Sequence, residues 1–245
     1  MKRLFVLSVM LILFLGVQAQ RTYVLVCGVS QYDDSSGACV NLKYPAKGAK
    51  MMKNVYEKAG FITSILTSQY VTEENVINRL NDIVKIAKPE DKIIFQFIGH
   101  GSTGRIHFYK GTPFTYLNLI ETLSKARTNN IFCFIDACQS GSAITTVKDN
   151  YEEIKGSKPA FLMACRADES TLETAIIASP AFTMALSKGL RGRADLNSDK
   201  QVTLMELFRY IHSDMTNRGK ALKVELHPQL LGNGQLFDTV INNLK

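Results

Sequence analysis

The chain has 245 residues, of which 46% are hydrophobic and 21% are charged, so it can close one large core and is not a disordered chain. The formal net charge is +7, but no basic run stands out and aromatic residues are not interleaved with Lys or Arg. We therefore expect no binding of nucleic acid.

The first nineteen residues have the layout of a secretory signal peptide. Lys2 and Arg3 precede an apolar run of 12 residues, and Val17 and Ala19 place small residues at the cleavage-determining positions. That run is shorter than the roughly 20 residues that span a bilayer. We predict that residues 1–19 are removed after Ala19, which leaves a net charge of +5, and that the protein is exported to the periplasm or the extracellular space. A retained anchor is the alternative, but we expect no stable membrane anchor.

Short apolar runs alternate with helical segments along residues 20–245. Four runs of five to seven mostly apolar residues predict strands, at residues 23–29, 93–99, 131–135 and 160–164. Helices are expected at residues 45–59, 73–88 and 116–126 and from residue 180 onward. Nearly continuous apolar strands are typical of a parallel sheet that is covered on both faces. The order therefore predicts a single α/β domain with a mainly parallel sheet and helices on both faces.

The five cysteines are an odd number, so in an exported protein at least one thiol stays outside intramolecular disulfides. Cys27, Cys133 and Cys165 lie inside or at the ends of apolar strands, and we interpret them as small hydrophobic residues. Cys138 differs because Asp, Gln, Ser and Gly surround it.

Two of the predicted strands end in residues that can carry out catalysis. One ends in His100 and Gly101, and the other ends in Asp136, Ala137 and Cys138. In open α/β sheets, function gathers beyond the carboxyl ends of the strands. A cysteine nucleophile needs an acid–base group within hydrogen-bond reach, so His100 and Cys138 are the candidate catalytic pair.

These strand-end motifs resemble those of the caspase-type cysteine peptidases. H-G and D-A-C-Q-S-G are close to the caspase signature, with Asp in place of Gln. The likeness is nearer to bacterial caspase-like proteins and metacaspases than to animal caspases. The run V-C-G-V-S-Q-Y, the helix entry at residues 42–49 and the late run at residues 182–211 also resemble this family. The likeness covers most of the chain after residue 19.

The resemblance implies a caspase-like peptidase domain that acts on polypeptide substrates. His100 and Cys138 would form a catalytic dyad, and the N–H groups of Gly101 and Cys138 would form the oxyanion hole. We expect no required cofactor and a monomeric protein.

The chain departs from the metacaspase pattern near the expected pocket for the P1 residue, which precedes the cleaved bond. Gly48 stands where relatives usually have Asp, and Ile98 stands where they often have a small polar residue. Asp136 is retained, so we expect Asp136 and Ile98 to contact the P1 side chain. Because a partly buried carboxylate needs a cationic partner, we predict cleavage after Arg or Lys.

Residues 142–158 have no sustained apolar periodicity, which predicts a long polar connection. Connections of this length are unusual inside a compact domain, and exposed loop tips are where proteolysis concentrates. The segment begins soon after Cys138 and contains Lys148 and Lys155, which match a basic P1 residue. We predict that the chain cuts itself in this loop at Lys148 or Lys155.

A late acidic segment has the spacing of a calcium-binding loop. Oxygen-bearing side chains occupy positions 1, 3, 5, 7, 9 and 12 of an EF-hand-like loop, at Asp195, Asn197, Asp199, Gln201, Thr203 and Glu206. Lys200 stands where that loop normally has Gly. The alternative interpretation is that Thr203 and Glu206 form a capping box that opens a helix, beside a solvated acidic loop. The segment therefore has two interpretations, a calcium-binding loop and a capping box.

The residues together predict an exported cysteine endopeptidase that uses a Cys138–His100 dyad. One alternative is a catalytically silent caspase-like module that binds a peptide or a partner protein, which the altered pocket favours and the intact dyad opposes. Another is an acyl hydrolase or transferase that acts on a non-protein substrate, since the same dyad serves that chemistry.

Overall fold

The structure, a computed structural model, describes residues 20–150, 154–166 and 179–244. The predicted signal peptide, residues 1–19, lies outside these ranges. The strands are β1 (Thr22–Gly28), β2 (Ile62–Thr67), β3 (Lys92–Ile98), β4 (Gly101–Ser102), β5 (Arg105–His107), β6 (Pro113–Thr115), β7 (Asn130–Asp136), β8 (Ala160–Met163), β9 (Gln201–Thr203), β10 (Gln229–Leu231) and β11 (Val240–Asn243). The α-helices are α1 (Pro45–Lys58), α2 (Glu73–Ile86), α3 (Tyr116–Leu123), α4 (Ala143–Asn150), α5 (Ser179–Lys188) and α6 (Leu204–Leu222).

The central sheet has six strands in the order β10-β8-β7-β3-β1-β2. All of its pairs are parallel except β10, which runs antiparallel to β8 at one edge. Two smaller sheets accompany it, one formed by β4, β5 and β6 and the other by β9 and β11. The predicted α/β domain with a mainly parallel sheet is therefore confirmed.

Two layers of helices bury the two faces of the sheet. Successive residues of a strand point to opposite faces, so Leu25 and Phe95 pack in one core whereas Val24 and Ile94 pack in the other. Apolar residues of α2 and α3 cover the first face, and those of α1, α5 and α6 cover the second. The expectation of helices on both faces is confirmed.

The segment predicted to be a processing loop is partly helical, which corrects that expectation. A short 3₁₀ turn, Ser140–Ser142, leads directly into α4. Ala143 is fully buried and Ile144 packs against the core of the first face. These contacts override the low helix propensity of the β-branched residues that follow.

The two lysines proposed for self-processing therefore lie in different surroundings. Lys148 lies within α4, and its side chain is outside what the structure describes. Lys155 is exposed and lies in an irregular stretch that precedes β8. Self-processing at either lysine stays a prediction.

In residues 20–150, 154–166 and 179–244, no helix has both the length and the apolarity that a bilayer span requires.

Candidate active site

The candidate catalytic residues follow two neighbouring strands. β3 and β7 are parallel partners, with Ile98 opposite Asp136 in register. The pairing continues one residue further, because the Gly99 N–H donates to the Asp136 carbonyl at 3.1 Å. His100 and Cys138 each lie two residues past the Ile98–Asp136 pair, at the same edge of the sheet. The structure thus places the two residues that the sequence predicts as a catalytic pair at one edge of the sheet. Among the described residues, no hydrogen bond joins the His100 imidazole to the Cys138 thiol.

A backbone carbonyl holds the His100 ring. Nε2 of His100 lies 2.8 Å from the carbonyl oxygen of Val40. A carbonyl can only accept, so Nε2 carries the proton of the neutral ring and Nδ1 is the basic nitrogen. Burial lowers the pKa of His100 below its ordinary value of 6.5, the Val40 bond opposes this shift, and the nearby His107 adds to it. His100 is therefore neutral near pH 7 and can accept a proton.

Tyr32 and His107 hold the backbone of His100. The His100 N–H donates to the Tyr32 hydroxyl at 2.8 Å, and the His107 N–H donates to the His100 carbonyl at 3.0 Å. The rings of Tyr32 and His100 also lie against each other, with centroids 4.9 Å apart. The sequence analysis assigned no role to Tyr32, Val40 or His107.

The Cys138 thiol is partly buried at the start of a turn. Burial raises the pKa of Cys138 to about 12, and the neighbouring Cys165 and Asp136 add to this shift. The thiol is therefore protonated at neutral pH. Gln139, the next residue, has a left-handed backbone conformation with φ 51° and ψ 22°, which is uncommon outside glycine.

Cys165 holds the turn that carries the candidate nucleophile, residues 137–142, which we call the nucleophile loop. The Cys165 thiol donates to the Ala137 carbonyl at 3.3 Å and lies 3.5 Å from the Ser140 hydroxyl. The Gly141 N–H donates to the Cys165 carbonyl at 3.0 Å. A residue just after β8 therefore fixes the nucleophile loop on both sides of Cys138. Sequence reasoning treated Cys165 as a small hydrophobic residue; it is buried, but it also serves as a hydrogen-bonding partner.

Glycine is required at position 101 because two loops meet there. A Cβ atom on Gly101 would lie 2.6 Å from the Cys138 carbonyl oxygen and 2.9 Å from the Ala137 Cβ. The backbone that follows His100 thus packs directly on the nucleophile loop. This contact places Gly101 beside Cys138; their predicted role as oxyanion donors stays a prediction.

The residues expected to contact the P1 side chain are buried. Asp136 and Ile98 are only 5% and 1% exposed. The Thr183 N–H and hydroxyl both donate to Oδ2 of Asp136. Burial raises the pKa of Asp136 to about 7, and the two bonds from Thr183 oppose that shift. The carboxylate that was expected to be partly buried is therefore almost fully enclosed, and Thr183 contacts it through both of its donors. The sequence analysis missed Thr183.

Gly48 lies beside these two residues. A Cβ atom at this position would lie 3.4 Å from Ile98 Cδ1 and 3.6 Å from Thr183 Cγ2, which are ordinary contact distances. Ile98 and Thr183 thus border the space where metacaspases usually have a second carboxylate. Contact of Asp136 and Ile98 with a P1 side chain stays a prediction.

The acidic segment folds as a tight loop that leads into α6. Asp195 Oδ2 accepts a hydrogen bond from the Lys200 N–H at 3.1 Å, and Asp199 Oδ1 accepts one from the Gln201 N–H at 2.8 Å. Lys200 has φ 64°, so it adopts the backbone conformation that glycine usually supplies there. Asn197 accepts from the Asp199 N–H at 3.0 Å.

The capping-box interpretation of Thr203 and Glu206 is confirmed. The Thr203 hydroxyl accepts from the Glu206 N–H at 3.2 Å, and the Glu206 carboxylate accepts from the Thr203 N–H at 2.9 Å. Asp195 Oδ1 is buried and has no hydrogen-bond partner among the residues described. No group of three His, Cys, Asp or Glu side chains in the described ranges converges as a metal site would require. Calcium binding stays a prediction, for which Asn197, Asp199 and Gln201 would supply further oxygen atoms.

Comparisons with known proteins agree with this architecture. No protein with a curated description matches the sequence. Among solved structures, the crystal structure of protein GSU0716 from Geobacter sulfurreducens is similar, with a TM-score of 0.68 and 15% identity, over 92% of this chain and 100% of that chain. This likeness concerns the fold. The sequence matches the family model described as Caspase domain (Peptidase_C14) over residues 21–233, and the chain therefore belongs to the caspase domain family.

Proposed function

We propose that the protein is an exported cysteine endopeptidase in which Cys138 is the nucleophile and His100 is the acid–base residue. Membership of a peptidase family implies polypeptide substrates and a cysteine mechanism. The observation that carries the proposal is the state of His100, whose Nε2 is bound to the Val40 carbonyl at the strand end next to Cys138. That bond leaves Nδ1 as the nitrogen able to take a proton.

The proposed reaction starts from a neutral pair. The Cys138 thiol gives its proton to His100 Nδ1 as the sulfur attacks the scissile carbonyl, because a thiol with a pKa of about 12 supplies little free thiolate. The N–H groups of Gly101 and Cys138 stabilise the oxyanion. Protonated His100 then gives the proton to the leaving amine, which departs and leaves a thioester on Cys138. Water attacks this thioester with His100 as the base, and the carboxylic acid product and the thiol are regenerated.

The proposed specificity is for Arg or Lys at P1. Asp136 is the carboxylate on the nucleophile side of the site, and it lies two residues before Cys138 in register with Ile98. A cationic P1 side chain would compensate the buried charge of the ionised Asp136. Binding such a side chain requires Thr183 to yield part of its contact with Asp136 Oδ2.

Export and self-processing belong to the same proposal. The basic and apolar layout of residues 1–19 supports a signal peptide that is cut after Ala19.

The exposed position of Lys155 supports it as a self-processing site more directly than Lys148, which lies within α4. A new N-terminus at Gly156, absent from a Cys138→Ala protein, is the expected result of N-terminal sequencing.

We also propose that Ca²⁺ binds at the loop from Asp195 to Glu206. The buried, unpaired Asp195 Oδ1 supports it, because a carboxylate oxygen in that position gains from a cation. A ligand that binds only the folded protein raises the melting temperature as its concentration rises. We expect millimolar Ca²⁺ to raise the melting temperature, and Asp195→Ala to remove that rise. An unchanged melting temperature, or a rise that persists in Asp195→Ala, leaves only the capping box.

A non-catalytic function is the alternative, and two observations favour it. A caspase-like module that binds peptides without cutting them fits the high pKa of Cys138 and the enclosed Asp136. Such a module would bind basic peptides with the same affinity whether Cys138 is present or replaced by Ala.

A peptide-library experiment separates the two functions. The purified protein is incubated with a mixed peptide library, and the cut sites are read by mass spectrometry. We expect cuts after Arg and Lys, with losses of several orders of magnitude in Cys138→Ala and His100→Ala. Cys27→Ala is the matched control, because Cys27 is a fully buried thiol of β1 that packs in the core of the first face. Undiminished cleavage by Cys138→Ala would refute the assignment, and binding without cleavage would establish the module.

A further inference from the structure

We propose that Tyr32 is a positioning residue for His100, and that it fixes both the backbone of the histidine and the carbonyl that sets its tautomer. This inference rests on the proposed function, in which His100 exchanges protons with Cys138 and substrate. Tyr32 lies in the segment between β1 and α1, residues 30–42, which we call the histidine loop. The side chain that acts on His100 thus comes from a different part of the chain.

The Tyr32 hydroxyl satisfies backbone groups of two residues, one just past β3 and one at the end of β5. It accepts from the His100 N–H at 2.8 Å and donates to the His107 carbonyl at 3.4 Å. The hydroxyl therefore acts as both acceptor and donor toward residues 100–107, the segment that begins with His100. Burial raises the pKa of Tyr32, so the hydroxyl keeps its proton and both bonds persist over the whole physiological pH range.

The contact between Tyr32 and His100 requires glycine at the preceding residue, Gly99. A Cβ atom on Gly99 would lie 2.7 Å from the Tyr32 hydroxyl oxygen. The absence of a side chain at Gly99 lets the tyrosine reach the backbone N–H of His100. The same ring lies 4.9 Å from the imidazole, tilted by 54°, so it also limits rotation of the His100 side chain.

Tyr32 is connected to the carbonyl that binds the imidazole. The Tyr32 N–H donates to Oδ1 of Asn41 at 2.7 Å, and Asn41 directly follows Val40, whose carbonyl meets His100 Nε2 at 2.8 Å. One hydrogen bond thus links Tyr32, which holds the His100 backbone, to Asn41, the chain neighbour of Val40, which holds the ring. The base of the histidine loop is closed by the Leu42 N–H, which donates to the Ser30 carbonyl at 2.7 Å.

The remainder of the histidine loop is braced independently of Tyr32. Asp34 accepts hydrogen bonds from the Ser36 N–H at 2.9 Å and from the Cys39 N–H at 2.8 Å. The Asp33 N–H donates to the Tyr109 carbonyl at 2.9 Å. Loss of the Tyr32 hydroxyl should therefore leave the loop folded and release only its hold on His100, which separates positioning from stability.

Two substitutions test the two bonds, each with a matched control. Tyr32→Phe removes the hydroxyl and keeps the ring, and Tyr70→Phe is its control because Tyr70 is 59% exposed and follows the edge strand β2. Asn41→Leu removes the acceptor for the Tyr32 N–H, whereas Asn41→Asp keeps an oxygen at that position. Because Asn41 is exposed, neither change disturbs the core.

The first readout does not depend on peptide cleavage. Nitrogen NMR of the purified, ¹⁵N-histidine-labelled protein reports the tautomer and the titration of His100. In the unchanged protein we expect the tautomer with the proton on Nε2. In Tyr32→Phe and Asn41→Leu we expect a mixture of tautomers and a lower pKa of His100, because the Val40 bond favours the protonated ring. Tyr70→Phe should match the unchanged protein, and Asn41→Asp should keep its tautomer, with a pKa of His100 that is equal or higher because a carboxylate favours the protonated ring.

The second readout is kinetic. We expect kcat of Tyr32→Phe to fall by about 10- to 100-fold with KM nearly constant, because a small displacement of a catalytic group costs up to roughly two orders of magnitude. The acid limb of the pH–rate profile should move to lower pH with the His100 pKa. If Tyr32→Phe retains the tautomer, titration and kcat of the unchanged protein, Tyr32 is not a positioning residue. If the NMR result holds but no peptide is cut by the unchanged protein, the positioning role stands and the proposed peptidase function fails.

Discussion

The two halves of the candidate dyad are held in different ways. The histidine loop reaches His100 through single polar contacts from a partly exposed segment, and Val40 itself is 63% exposed. The nucleophile loop is instead fixed by buried groups, since Cys165 is 2% exposed and Ser140 fully buried. Polar substitutions on the histidine side should therefore change proton transfer with little effect on stability. Changes of volume on the nucleophile side should reduce stability and activity together.

The largest expected effect is on the nucleophile side, at Gly101. Gly101→Ala places a methyl group 2.6 Å from the Cys138 carbonyl oxygen, so the nucleophile loop must move. We expect a loss of stability of about 1–3 kcal/mol from overpacking, and at least a roughly 100-fold loss of kcat/KM from the displaced sulfur. Thermal unfolding and peptide cleavage measure the two effects.

Gly48→Ala is the control for Gly101→Ala, because its added methyl group meets Ile98 and Thr183 at ordinary contact distances. We expect this variant to unfold at nearly the same temperature as the unchanged protein. Equal effects of the two substitutions would show that the close approach at Gly101 is not what fixes the nucleophile loop.

A smaller effect is expected at Cys165. Cys165→Ala removes the thiol that donates to the Ala137 carbonyl, and because a thiol is a weak donor we expect a loss of stability of at most about 1 kcal/mol. Because that contact lies one residue before Cys138, we expect about a tenfold fall in kcat, an energy of about 1.4 kcal/mol in the barrier. Cys165→Ser keeps a donor and should recover most of the loss in both thermal unfolding and cleavage assays. Full activity in Cys165→Ala would show that the nucleophile loop is fixed without this thiol.

The buried Asp136 should make stability depend on pH. Its folded pKa of about 7 lies above its ordinary value of 3.8, so folding takes up a proton between these values. Stability therefore falls as pH rises through that range, and the cost is complete above pH 7. Asp136→Asn carries no such cost, so its melting temperature relative to the unchanged protein should be higher at pH 8 than at pH 4.

The same substitution separates charge from packing at the proposed P1 pocket. We expect Asp136→Asn to lose the preference for Arg and Lys over their uncharged analogues in peptide assays, while it keeps the acceptor for Thr183. The melting temperature of Asp136→Asn minus that of the unchanged protein should be larger at pH 8 than at pH 4. A smaller difference at pH 8 would contradict the raised pKa of Asp136. An unchanged preference for basic residues would contradict its contact with P1.

The smallest expected effect is the position of the acid limb on the histidine side. Burial lowers the pKa of His100 below 6.5, and only the neutral ring accepts the thiol proton. With a substrate that has an uncharged P1 residue, kcat/KM should therefore reach half of its maximum below pH 6.5. A midpoint above pH 7 would mean that a different group, or a charged His100, controls the reaction.

The sequence was sufficient to predict the strands that carry the site. β1, β3, β7 and β8 are buried on both faces, so each appears as an apolar run, and the predicted bounds agree within two residues. β2 was missed because it is an edge strand whose Thr and Ser residues remain half exposed. An edge strand lacks the continuous hydrophobicity that marks its neighbours.

The residues that orient the dyad could not be predicted to the same extent. Cys138, His100 and Gly101 carry a signal in their residue types and in their place at strand ends. Val40 acts through a backbone carbonyl, which every residue has, so no residue type marks it. Tyr32 belongs to a run that resembles the family, but its bond to His100 spans 68 positions and depends on how the histidine loop folds.

Trapping the nucleophile tests the central claim most directly. The purified protein is treated with a peptide that carries an Arg P1 residue and a thiol-reactive chloromethyl ketone, and the adduct is located by mass spectrometry. We expect one adduct, on Cys138, formed much more slowly in His100→Ala. An adduct on another cysteine, or one formed on Cys138 at an equal rate without His100, would contradict the Cys138–His100 dyad.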